Sequence, residues 1–297
     1  MGTSASSKGP GSGVPMVPPW VPAAAPPPPT PPLEEEGVNI SAGAGEESGT
    51  SDLDQSKSVT VPLPSVPLIA PVAPPRRFNS ARRNLGNFAH TGDTAAMRRG
   101  IGQYFRSGYG GGSRAVARFG GTASTANAIY GALSNFAAGH PAVPGSQLDP
   151  VLLAGRSARE VVDAVVEAVR PADGTQDAEA ERASAKDALS ELLTQFPDAD
   201  LLSLSEEQRE LVTERFVAID VFRRVQLDLG KTIQDKAPTA AAGLARLKEV
   251  KDYVKETVAS AFRKLKTAGT RITKGSVNQV VCAALLDAFA VFEGYMV

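Results

Sequence analysis

Residues 277–292, VNQVVCAALLDAFAVF, decide the fold class. Val277, Val280, Val281, Ala284, Leu285, Ala288, Phe289 and Phe292 recur at steps of three and four, so a helix puts all eight on one face. A stripe this regular is the core-facing side of a packed helix. The run is short for a membrane span and is interrupted by Asn278, Gln279 and Asp287. A membrane-perturbing effector would need the stripe exposed. Burial of Val281, Leu285 and Phe289 in a bundle is the expectation.

The same period continues upstream. Ala126, Ile129, Tyr130, Leu133 and Phe136 form a stripe ended by Gly139 and Pro141. Ser157-x-x-Glu160 is a capping box that opens a helix with Val161, Val162, Val165, Val166 and Val169 on one face, closed by Pro171. Residues 175–196 make another helix, with Leu189, Leu192, Leu193 and Phe196 inward. Ser205-x-x-Gln208 caps a long one to about residue 235, with Val212, Phe216, Ile219 and Phe222 inward. Residues 239–266 follow Pro238, with Leu244, Leu247, Val250, Val254, Val258 and Leu265 inward. No strand alternation competes. The prediction is all-α, a helical body over 123–297, with the acids of its helices on solvated faces.

Residues 76–122 differ in kind. The net charge of −1 hides nine arginines against one acid, Asp93, in 76–119. Ten glycines in 76–122 argue against one long helix and for short ones, such as 80–88 and 94–105, broken at Gly92 and Gly108–Gly112. Phe78, Phe88, Tyr104, Phe105, Tyr109 and Phe119 can anchor them on the body. Arg76, Arg77, Arg82, Arg83, Arg98, Arg99, Arg106, Arg114 and Arg118, interleaved with these aromatics, suit phosphates and stacked bases. They equally suit an acidic protein surface, or the chain's own acidic tail.

That tail is residues 1–75, which hold 17 of the 23 prolines and one aromatic, Trp20. Such a segment has too little to bury and reads as disordered. Pro26–Pro32 is a polyproline II spacer. The acidic linker Glu34–Glu36, Glu46, Glu47, Asp52 and Asp54 leads into VPLPSVPLIAPVAPP, which suits either an apolar groove or a stiff linker. Residues 1–22, MGTSASSKGPGSGVPMVPPWVP, are the most informative part. Val14, Met16, Val17 and Trp20, spaced by prolines, form a docking handle for another protein. Removal of Met1 leaves a Gly2 α-amine with a pKa near 8, of which a fair fraction is nucleophilic at neutral pH. The start also fits the myristoylation pattern, but the Ala/Arg-rich composition reads as bacterial.

Little else carries chemistry. One cysteine, Cys282, excludes an intrachain disulfide and reads as a buried small hydrophobe. With His90 and His140 the only histidines, a protein-built zinc site is not expected. His90 reads as a helix-end residue. Gly108–Gly112 lacks the G-x-x-x-x-G-K-[ST] phosphate loop. No catalytic constellation, cofactor site or secretory signal is legible, and the expected location is the cytoplasm.

The start MGTSASSKGPGSGVP-MVPPWVP, the block ARRNLGNFAHTGD (81–93) and MRRGIGQYFRSGYGGGSRAVARFGGTASTANAIYGAL (97–133) together resemble QatB, a subunit of the four-gene Qat bacterial anti-phage defence system. The resemblance implies as neighbours a P-loop ATPase, a QueC-like enzyme and a TatD-like nuclease. QueC-like enzymes activate a carboxylate on a deazaguanine with ATP and couple it to an amine. The resemblance thus makes Gly2 a candidate acceptor and residues 3–21 the docking segment of a non-enzymatic subunit. The alternative is a nucleic-acid-binding subunit acting through 76–118.

Overall fold

Both capping boxes close in the computed structural model, which describes residues 76–141 and 148–295. The Glu160 amide donates to Ser157 Oγ while the Ser157 amide donates to the Glu160 carboxylate, and Ser205 and Gln208 repeat the exchange. Each box satisfies amides that a helix start otherwise leaves unpaired. Thr175 and Thr239 cap the two other long starts by accepting from Ala178 and Ala242.

The helices are α1 (Asn79–Thr91), α2 (Thr94–Gln103), a π turn (Tyr104–Gly108), α3 (Gly112–Arg118) and α4 (Gly120–Ala137). After them come α5 (Pro150–Leu153), α6 (Ala158–Val169), α7 (Gln176–Gln195), α8 (Glu206–Lys236), α9 (Ala240–Thr267) and α10 (Val277–Gly294). No strand occurs among the described residues. The body is all-α. The reading of 1–75 as a disordered tail lies outside the described residues.

The long α8 is the central element, packed against α1, α4, α7 and α9. α10 closes the other side, against α2, α3, α4 and α9. One apolar cluster runs from Phe78 to Phe292, so the arginine segment contributes to the same core as the later helices. All eight stripe residues of α10 are buried, and Val281, Leu285 and Phe289 have no exposed surface. Length and composition alone would let α10 cross a membrane, yet its stripe is core.

Three side chains depart from their predicted places. Leu244 is 65% exposed. The inward set of α9 is Gly243, Leu247, Val250 and Val254, and Leu244 sits one residue, about 100°, round from it. Gly243 faces the end of α8, where a Cβ on it would lie in ordinary contact, 3.5 Å from both Ala237 Cβ and Gln234 Cα. Phe196 leaves the α7 stripe because it is the C-cap, with φ −128° and ψ 81°, and no longer follows the helical period. Cys282 is half-buried rather than buried, on the flank of α10 where Asn278 Oδ1 accepts from Sγ at 3.6 Å. Burial raises its thiol pKa.

Phe289 stacks on Phe105 with ring centroids 4.1 Å apart. Phe289→Ala is expected to lower the unfolding free energy of the full-length chain by about 3–5 kcal/mol. Leu286→Ala, at a half-exposed neighbour on the same helix, should stay within about 0.5 kcal/mol. Urea denaturation followed by far-UV circular dichroism checks both.

Candidate functional site

The arginines face outward because the other side of their segment is apolar. In α1, Ala81, Leu85, Phe88 and Ala89 are buried; in α2, Ala96, Met97, Gly100 and Ile101 are. Gly100 lets the two helices meet closely, since a Cβ there would lie 2.7 Å from Leu85 Cγ. The π turn then aims two adjacent rings inward, and Tyr104 and Phe105 are both fully buried. Phe78 stacks on Tyr104 at 5.0 Å, over the space where Gly108 has no side chain. Tyr104 and Tyr109 both donate their hydroxyls to Asp228 Oδ2, at 2.8 and 3.4 Å. Burial pushes both phenols up, Tyr104 well above the usual range, which keeps them neutral donors.

On that aromatic bed eight of the nine arginines are exposed, and Arg77 is half-buried. Only Arg99 makes an ion pair among the described residues, with Asp93 at 3.4 Å. Arg77 lies over the Phe78 ring at 4.4 Å, and Arg98 over Tyr295 at 5.0 Å and Tyr253 at 5.8 Å. Arg82 donates weakly to the Asp228 carbonyl at 3.5 Å. Among the described residues Arg76, Arg83, Arg106, Arg114 and Arg118 have no hydrogen-bond or ion-pair partner. The surface is strongly cationic, with aromatic rings set beneath or beside its charges. No group of His, Cys, Asp or Glu among the described residues is arranged to hold a metal. Gly2, Val14, Met16, Val17 and Trp20 lie outside the described residues.

Beneath this surface is a buried ionic network. Arg224 Nη2 donates to Glu181 Oε1 at 2.8 Å and its Nε to Asp220 Oδ2 at 3.2 Å; Nη1 lies 3.2 Å from Asp177 Oδ2. Arg170 Nε reaches the second Glu181 oxygen at 2.7 Å, Thr125 donates to that oxygen, and Thr122 donates to Asp220 at 2.6 Å. α4, α7, α8 and the end of α6 are thereby joined through charge. Gly121 is needed for the fit, because a Cβ would lie 2.6 Å from Glu181 Oε1. Desolvation raises the Asp220 carboxyl pKa against the opposing pull of Arg224. Burial works against the Arg224 charge, but Asp220, Asp177 and Glu181 outweigh it and hold the guanidinium above its ordinary value.

The acids of the body are therefore not all on solvated faces: Glu181 is 2% exposed and Asp220 not at all. Asp220 had a signal, since it sits inside the apolar run FVAIDVF with Arg224 four residues on, one helical turn away. Glu181 had none; the bond to Arg224 spans 43 residues. Arg224 also stacks on Phe119 at 5.0 Å and joins Arg77, Arg118, Tyr109 and Asp228 around a shallow surface pocket.

The fold and this surface define a helical protein with a cationic, aromatic-backed face. The profile of the family described as Qat anti-phage system associated protein QatB matches residues 110–292, and the chain belongs to that family. It is thus a subunit of an anti-phage defence system. Neither the curated proteins nor the solved structures contain a match.

Arg224→Met should destabilise the chain by about 3–5 kcal/mol at neutral pH, the scale of leaving buried charge without its partner. The loss should shrink as pH falls. Without Arg224 the Asp220 pKa rises further above its unfolded value, so the folded variant gains a proton before the unfolded chain does. Chemical denaturation at pH 7 and pH 5 measures both effects.

Proposed function

We propose that this chain is a non-enzymatic subunit that offers its N-terminal segment to a QueC-like partner enzyme in the cytoplasm. Residues 2–22 dock on that enzyme through Val14, Met16, Val17 and Trp20, and the Gly2 α-amine is the acceptor. The enzyme activates a deazaguanine carboxylate with ATP. The amine nitrogen attacks the activated carbonyl carbon, the ATP-derived leaving group departs with its electron pair, and the amine proton goes to solvent. An amide at Gly2 results. The P-loop ATPase and the TatD-like nuclease are the further partners on this reading.

The observation that carries it is in the sequence. The chain's single tryptophan sits in a proline-spaced apolar run behind a glycine-rich lead, ahead of a body whose core is built by residues 78–292. Family membership supplies the setting. Intact mass and N-terminal peptide mapping of protein from cells carrying the whole defence system should place the added mass on Gly2. An unmodified Gly2 during active defence overturns the modification. Capture of the QueC-like enzyme by a chain lacking residues 2–22 overturns the docking.

A second reading, nucleic-acid binding through 76–118, draws on the eight arginines that make no ion pair among the described residues. It expects DNA binding that falls steeply with salt, unaffected by deletion of residues 1–75. Arg98→Ala with Arg99→Ala should weaken it and reduce the log–log salt slope by about 1 for each phosphate contact removed. Absence of binding at low salt, read by fluorescence anisotropy, removes this reading.

A further inference from the structure

The side of α10 turned away from the core is also apolar. Ala283, Leu286, Ala290 and Gly294 are exposed and recur at steps of three and four, so they form one outer stripe beside Val291. Leu286 and Val291, 46% and 43% exposed, are the large apolar side chains on the outward side of a helix whose opposite face is core.

One edge of this stripe carries unpaired arginines near the Glu293 carboxylate, and the other is electrically neutral. On one side α2, the π turn and α3 pack against α10. Gly112, at the start of α3, adjoins Leu286, and a Cβ on it would lie 3.7 Å from Leu286 Cδ1. Arg114 stands two residues further on. Arg106 follows Phe105, whose ring stacks on Phe289 and Phe292, and Arg98 lies over Tyr295 at the end of α10. None of these three arginines makes an ion pair among the described residues. On the other side Asp287 is neutralised by Lys264 at 2.5 Å. An apolar strip with unpaired cations along one edge is complementary to a helix whose apolar stripe carries carboxylates on one side.

We propose that the outer face of α10 docks an acidic amphipathic helix of another protein of the defence system. Leu286 and Val291 are the apolar contacts, while Arg98, Arg106 and Arg114 pair with the partner's carboxylates. The chain's own acidic linker has the charge but not the shape. Between Glu34 and Asp54 its apolar residues beyond alanine are Val38, Ile40 and Leu53, interspersed with four glycines, which gives no helical stripe. Neither Leu286, Val291 nor these arginines belong to residues 2–22, so the two readings can fail independently.

The test is hydrogen–deuterium exchange of the full-length chain, alone and mixed in turn with each purified protein of the system. One of them should slow exchange over 283–294. Leu286→Glu, at an exposed position that leaves the core intact, should weaken that binding about tenfold or more, as should Arg106→Glu with Arg114→Glu. Arg114→Glu should be rescued by a Glu→Arg change in the protected segment of the partner. Protection by none of the proteins overturns the proposal. So does protection of the chain alone that rises with its own concentration, which would mean a second copy. So does protection that vanishes on deleting residues 1–75, which would mean the acidic linker. Protection by phosphatidylglycerol vesicles in place of any protein would assign the face to a membrane surface and overturn it as well.

Discussion

The contact on which the arrangement depends most is the stack of Phe105 on Phe289 and Phe292, the first at 4.1 Å and the second at 5.2 Å. It fixes a glycine-rich segment, unsuited to one long helix, onto the most apolar helix of the body. Ring stacking of this kind adds about 0.5–1.5 kcal/mol beyond the area it buries. The direction it imposes matters as much as the energy. With Phe78, Tyr104 and Phe105 inside, the arginines of the same short helices have only the solvent side left. A cationic surface follows from where the rings are anchored.

Beneath that surface, charge is handled in the opposite way. Arg224 is 7% exposed and surrounded by carboxylates, so its desolvation is offset locally rather than by water. Such a network adds little net stability compared with an apolar core of equal volume, but it penalises misplacement of any of the helices it joins. The contrast separates the basic residues into two kinds. Arg224 and Arg170 are held by acids within the fold; Arg98, Arg106 and Arg114 have no carboxylate among the described residues and stand open to a partner.

Much of the fold was legible because helical periods and caps are local. The stripes of α6, α8 and α10 and both capping boxes could be read from residues three or four apart, and the structure places them accordingly. What could not be read is non-local or short. The seven-residue α3 follows a glycine run that looks like a simple break, and the π turn is one irregular step between α2 and that run. Leu244 fits the period of its neighbours in sequence, but the packed face of α9 runs through Gly243 and Leu247 instead. The link from Glu181 to Arg224 depends on the crossing of α7 with α8, which no window of sequence contains. Which arginines of the cationic face lack a carboxylate among the described residues is set by the three-dimensional packing.

All five tyrosines of the chain lie within the described helical body, and the Tyr104–Tyr109 pair at Asp228 is at its aromatic centre. The sole tryptophan, Trp20, belongs to the N-terminal segment. The molecule therefore carries two separate intrinsic chromophores. Tyrosine signals report on the packed helices, and selectively excited tryptophan emission reports on the N-terminal segment. Body and handle can be watched independently in one unlabelled sample.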